Sequence, residues 1–215
     1  MAALNISNSN TQTAETQAGI NPSMATQMLK DGNARFTSGN PFNRDLHQQV
    51  KDTATGQYPF AAVVSCIDSR IPTEVIFDQG IGDIFNARVA GNFVNEDILG
   101  SLEFACKLAG SKVIVVMGHT SCGAVKGACD HAKLGNLTQM LDKIMPAVDG
   151  TSTNEGEERN SSNMDFVNRV AQKNVELTIE DIKAKSPVLK EMLDNGEIDI
   201  VGAMYDVKSG AVSFN

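Results

Sequence analysis

Two short segments carry the side chains that could do chemistry: Cys66-Ile67-Asp68-Ser69-Arg70 and His119-Thr120-Ser121-Cys122-Gly123. Each directly follows an apolar run, Ala61-Ala62-Val63-Val64 in one case and Val113-Ile114-Val115-Val116 in the other. Two thiolates and one imidazole form a donor set suited to Zn²⁺, and a catalytic zinc keeps its fourth position free for water or substrate. Cys66, His119 and Cys122 are therefore the expected metal ligands, with one Zn²⁺ per subunit as the expected cofactor.

Asp68 and Arg70 stand two apart on a segment leaving a strand, so in extended chain their side chains point the same way. A carboxylate beside a metal tends to become its fourth ligand, which would close the site. Arg70 can hold Asp68 off through a bidentate, charge-assisted pair. Asp68 and Arg70 are the expected catalytic pair, with Asp68 as fourth ligand in a closed form. Cys122 should open a helix, where free N–H groups and the dipole favour a thiolate. Gly123 presents no side chain there, so its N–H is free to face a substrate oxygen.

The elements that position these groups follow from periodicity. From residue 60 short apolar runs alternate with amphipathic stretches: strand 61–65, helix 73–78, strand 83–88, helix 96–109, strand 113–117 and helix 122–133. Alternation of this kind gives a parallel sheet. Ligands bind beyond the carboxyl ends of such strands, at the switch point that appears if the first strand lies between the second and third. Further helices are expected near 137–148 and 164–185, separated by a polar loop, and residues 198–205 and 208–214 read as a strand, a turn and an edge strand. The fold class is thus α/β: a mostly parallel sheet of about five strands, the last an antiparallel edge, flanked by helices. Residues 1–20 read as a flexible arm and 21–215 as a single catalytic domain. The helix from Asn21 to Phe36 is expected to pack on a partner subunit.

Composition narrows the partners. A net charge of −8 argues against nucleic acid and anionic membrane, which reward basic patches. No stretch approaches the roughly 20 apolar residues of a membrane span, and the polar first residues lack a secretory signal, so a cytoplasmic location is expected. Of four cysteines, Cys106 and Cys129 fall in helical patterns and read as small core residues.

Together with Arg88-Val89-Ala90-Gly91-Asn92, the two segments make the chain resemble the β-class carbonic anhydrase family from about Met24 to Phe214. The resemblance implies reversible hydration of CO₂ to bicarbonate and a proton through a zinc-bound hydroxide, by a homodimer or tetramer. It also implies a substrate pocket of Gln57, Phe85, Ala90, Phe104 and Gly123, with Gln57 reaching into a neighbour's site. Inhibition through a second bicarbonate held by tryptophan, found in some relatives, is not expected in a chain without Trp. Zinc lowers the pKa of bound water to about 7 in His-ligated anhydrases, and two thiolates should leave it somewhat higher, so activity should rise with pH. The alternative on the same site is hydrolysis of carbon disulfide or carbonyl sulfide. A non-catalytic zinc module is a third reading, against which Arg70 argues, since a structural site has no use for a group that draws Asp68 away.

Overall fold

A computed structural model of the chain describes residues 10–215. In chain order it contains α1 (Ala14–Ala18), α2 (Pro22–Thr37), α3 (Leu46–Asp52), β1 (Ala61–Ser65), α4 (Thr73–Ile76), β2 (Ile84–Arg88), α5 (Glu96–Glu103), β3 (Val113–His119), α6 (Gly123–Cys129), α7 (Gly135–Asp142), α8 (Met145–Gly150), α9 (Met164–Lys185), α10 (Pro187–Asp194), β4 (Asp199–Tyr205) and β5 (Val212–Phe214). The strands form one sheet in the order β2-β1-β3-β4-β5, parallel except for the antiparallel pair β4–β5.

Continuous apolar runs made β1 and β3 candidates for burial on both faces, and every residue of both strands is buried. Successive side chains leave on opposite sides. Val63, Val115 and Met117 pack on one face with Leu29, Val125, Ile144 and Phe166. Val64 and Val116 pack on the other with Leu102, Ile182 and Leu189. Burying each such aliphatic side chain contributes about 1.5–3 kcal/mol, so the two faces hold the central strands from both sides. β2 is different: its pairing partner lies on one side only, and its burial declines from Ile84 to the exposed Arg88.

Several elements depart from the expected pattern for local reasons. The helix expected over 137–148 is two helices, because Pro146 sits in the first turn of α8 and cannot continue a preceding helix. The helix expected over 96–109 ends as an α-helix at Glu103 and continues as a π-helical turn over Phe104–Leu108, where the Ala109 N–H donates to the Phe104 carbonyl at 2.9 Å. α3 and α10 lie where no helix was expected. Their start signals are nevertheless in the sequence: Asp45 accepts from the Gln48 N–H and Ser186 from the Leu189 N–H, the latter just before Pro187.

The arm expected over residues 1–20 lies outside the described residues as far as residue 9. Beyond that it is docked: Ile20 is buried, and the buried Gln17 amide donates to the carbonyls of Pro59 and Ala109, both at 2.8 Å. α2 likewise buries a face on its own chain, with Ala25 and Leu29 fully enclosed and Asn33 donating to the carbonyls of Ile76 and Gly210.

Candidate metal centre

Because β1 lies between β2 and β3, the chain leaves β1 toward one side and later returns past it to the other. The carboxyl ends of β1 and β3 therefore flank a switch-point crevice. The parallel register places Ser65 beside Met117, so Cys66 follows β1 just where His119 closes β3. Cys122 is the residue before α6 and starts its first turn. The ligand atoms of Cys66, His119 and Cys122 all lie within 4.8 Å of one another, and all three residues are buried.

The imidazole is set for coordination. His119 Nδ1 lies 3.0 Å from the Thr120 carbonyl, which can only accept, so Nδ1 carries the proton and Nε2 keeps its lone pair. That Nε2 is buried and has no hydrogen-bond partner. A buried acceptor without a partner is costly unless something else occupies its lone pair. With two sulfurs 4.0 Å apart beside it, a soft divalent metal fits this donor set.

The two thiols titrate as a pair, because their sulfurs are in contact. Cys66 is drawn down by hydrogen bonding to Cys122, with further help from the Gly91 N–H, 3.4 Å from its sulfur. Cys122 is pushed up by the same contact with Cys66 and by burial. In the metal-free protein, then, the pair gives up its first proton readily and its second with difficulty. Burial also raises the other two thiols, Cys106 to about 12 and Cys129 to about 11, which leaves them as inert core residues.

Asp68 sits on Arg70, not among the gathered ligand atoms. Arg70 Nε donates to Oδ1 at 2.9 Å, Nη2 to Oδ2 at 2.7 Å, and the Arg70 backbone N–H to Oδ1 at 2.9 Å. This fork holds the Asp68 carboxyl well below the usual carboxylate range. The pair is in its open arrangement, with both Asp68 oxygens held by Arg70. Arg88, at the end of β2, ties the same segment down: Nε donates to the Cys66 carbonyl at 2.9 Å and Nη2 to the Asp68 carbonyl at 2.7 Å. Its side-chain role was not read from the sequence, although its place was available from the matched strand ends, since Arg88 pairs in register with Ser65. Gly91 takes φ +85°, and a Cβ there would lie 2.4 Å from Ile144 Cδ1, so only glycine brings this N–H to the sulfur.

A family model described as carbonic anhydrase matches residues 61–212. Carbonic anhydrase 2 of Mycobacterium tuberculosis is 34% identical over 88% of this chain and 91% of its own length. The carbonic anhydrase of Mycolicibacterium smegmatis is also 34% identical, over 89% and 92%. A β-carbonic anhydrase of Aspergillus fumigatus, known from a crystal structure, superposes with a TM-score of 0.66 at 27% identity, covering 90% of this chain and 89% of that one. The chain belongs to the β-carbonic anhydrase family.

The enzyme's expected pocket residues are less well gathered than its ligands. Gly123 is exposed at the head of α6, and a Cβ added there would meet nothing within 4 Å, so packing does not require glycine at this position. Ala90 is half-buried beside Gly91. Phe85 and Phe104 meet edge to face with ring centroids 6.1 Å apart. They line a groove of about 510 Å³ with Ala62, Ala87 and Leu102, which none of the three ligand residues lines. Phe85 pairs with Ala62, near the start of β1, and Gln57 precedes that strand altogether. The five residues of β1 alone span about 16 Å, so within one chain Gln57 lies at the wrong end to reach Cys66. His47 and His131 are exposed. No helix among the described residues is long and apolar enough to cross a membrane.

Proposed function

We propose that this carbonic anhydrase hydrates CO₂ reversibly to bicarbonate and a proton, using one Zn²⁺ held by Cys66, His119 and Cys122. The observation that carries this reading is the pairing of a three-donor cluster within 4.8 Å with a neighbouring carboxylate that Arg70 keeps off the fourth position. When bound, zinc supplies the Lewis acidity that makes water nucleophilic near neutral pH.

The chain's own groups orient the reaction. Arg70 already donates to both Asp68 oxygens, so the carboxylate has only acceptor capacity left and takes a hydrogen bond from the attacking water. That contact turns an oxygen lone pair of the water toward CO₂. Because Arg70 lowers its pKa, Asp68 is a weak base and passes the proton on to buffer rather than keeping it. The Gly123 N–H faces the oxygen on which bicarbonate's charge develops. CO₂ itself needs small apolar walls.

The rest of the pocket comes from a second copy of the chain. Gln57, Phe85 and Phe104 lie away from their own ligand cluster, and among the described residues β2 is an edge strand with unpaired backbone groups beside the half-buried Phe85 and the exposed Phe104. A homodimer, or a tetramer built from dimers, would bring one copy's Gln57 and phenylalanines to the other's metal centre, with α2 contributing its outer face. Metal analysis of the purified protein together with stopped-flow CO₂ hydration tests the reading. About one zinc per chain and hydration that disappears on chelation are expected, and zinc-loaded protein that releases sulfide from carbon disulfide but leaves CO₂ untouched would overturn it.

A further inference from the structure

The two ligand loops are gripped from behind by one helix. α9 lies hard against β3: a Cβ on Gly118 would fall 2.8 Å from Val175 Cγ2, so the helix approaches the strand as closely as only glycine permits. Two asparagines on α9 reach the loops. The Asn168 side-chain oxygen accepts the Ser121 N–H at 3.0 Å. Ser121 lies between His119 and Cys122 and takes φ +59°, a left-handed conformation that a non-glycine residue keeps only when its surroundings hold it there. Asn174, 3% exposed, donates from its side-chain amide to the Gly91 carbonyl at 2.7 Å. The N–H of that same Gly91 points at the Cys66 sulfur. The asparagines are six residues apart, about 9 Å along the helix axis.

We propose that Asn168 and Asn174 are positioning residues through which α9 sets the spacing between Cys66 and the His119–Cys122 pair. This rests on the reading of the cluster as the metal site. Neither asparagine touches a ligand side chain. Asn168 holds the turn that delivers Cys122 to the same crevice as His119, and Asn174 holds the turn that aims an N–H at Cys66. The helix acts as a ruler, since its backbone is stiff and it packs directly on β3 through the buried Val170, Ala171 and Val175.

The two contacts have opposite polarity, which makes one substitution discriminating. Asn168 works as an acceptor, so Asn168→Asp retains the contact and Asn168→Ala removes it. Asn174 works as a donor, so Asn174→Asp and Asn174→Ala both remove it. The experiment measures Zn²⁺ affinity of the full chain by chelator competition, records the visible spectrum after loading with Co²⁺, and checks folding of the metal-free protein by circular dichroism. Asn168→Ala and both Asn174 variants are expected to bind zinc about 10- to 100-fold more weakly, with altered Co²⁺ bands, while Asn168→Asp keeps wild-type affinity and spectrum. Should the Asn174 variants not fold, the two Asn168 variants still decide. Wild-type affinity and spectrum in Asn168→Ala, or equal loss in Asn168→Asp and Asn168→Ala, overturns the inference alone. Failure of the wild-type chain to bind either metal instead overturns the metal-site reading, and this inference with it.

Discussion

The carboxyl end of the sheet and the β2 edge are built to different degrees within one chain. At the carboxyl end, two buried strands deliver Cys66 and His119, Arg88 and Arg70 fix the intervening loop, and the ligand atoms stand within 4.8 Å of one another. At the edge, Phe104 is 51% exposed and Phe85 and Phe104 line an open groove. Metal ligands cannot wait for a partner, because an unpaired buried Nε2 and two crowded sulfurs are tolerable only in a frame that is already rigid. In the proposed dimer an apolar wall can wait, because apolar surface left exposed on one chain favours association that would cover it.

The contrast can be broken most severely at its rigid end. Cys122→Ala removes a donor from the centre of the cluster, and metal analysis should find the zinc gone and CO₂ hydration at the buffer rate. Asp68→Asn separates holding the metal from using it: zinc content should stay at wild type while kcat falls about 10²–10⁴-fold, and undiminished kcat would remove Asp68 from the mechanism. Phe104→Asp tests the edge, where burying a charge against a second copy is unfavourable. Ultracentrifugation should show a monomer that retains zinc and loses about tenfold or more in activity; a fully active monomer would show that one chain completes its own pocket.

Acidity probes the ligand pair more gently. The contact between the two sulfurs makes the first proton of the pair easier to lose and the second harder, so the metal-free pair carries one proton, and zinc must displace it. Affinity should accordingly weaken as pH falls, about tenfold per pH unit for a single displaced proton. Calorimetry in buffers of different ionisation enthalpy counts that proton, and two protons released would mean that the metal-free pair holds both. The smallest change is expected at the exposed His47 and His131: replacing both by Gln should alter kcat less than about twofold, since neither lies beside the metal cluster.

Much of this was legible in the chain. Ala61–Val64 and Val113–Val116 are short, β-branched-rich and apolar without alternation, as strands covered on both faces read, which marked two buried strands with a ligand segment after each. Helix starts at Asp45 and Ser186 were present but went unread, because a single capping residue before a short helix is a weak signal against the strong periodicity elsewhere. The pocket was named by family resemblance but not placed, since nothing in a sequence period says that Gln57 and Cys66 stand at opposite ends of β1.

The sequence by itself determined the donor types, their attachment to strand ends and the Asp68–Arg70 pair, all of which depend on residues at most five apart or on runs of a few residues. Only the tertiary structure decided that β1 and β3 are neighbours, that Asp68 rests on Arg70 away from the ligand atoms, and that Arg88 and α9 brace the two loops. The contacts of Arg88 and α9 join residues 20 to 83 apart, and their geometry follows from strand order and close packing, which carry no local signature.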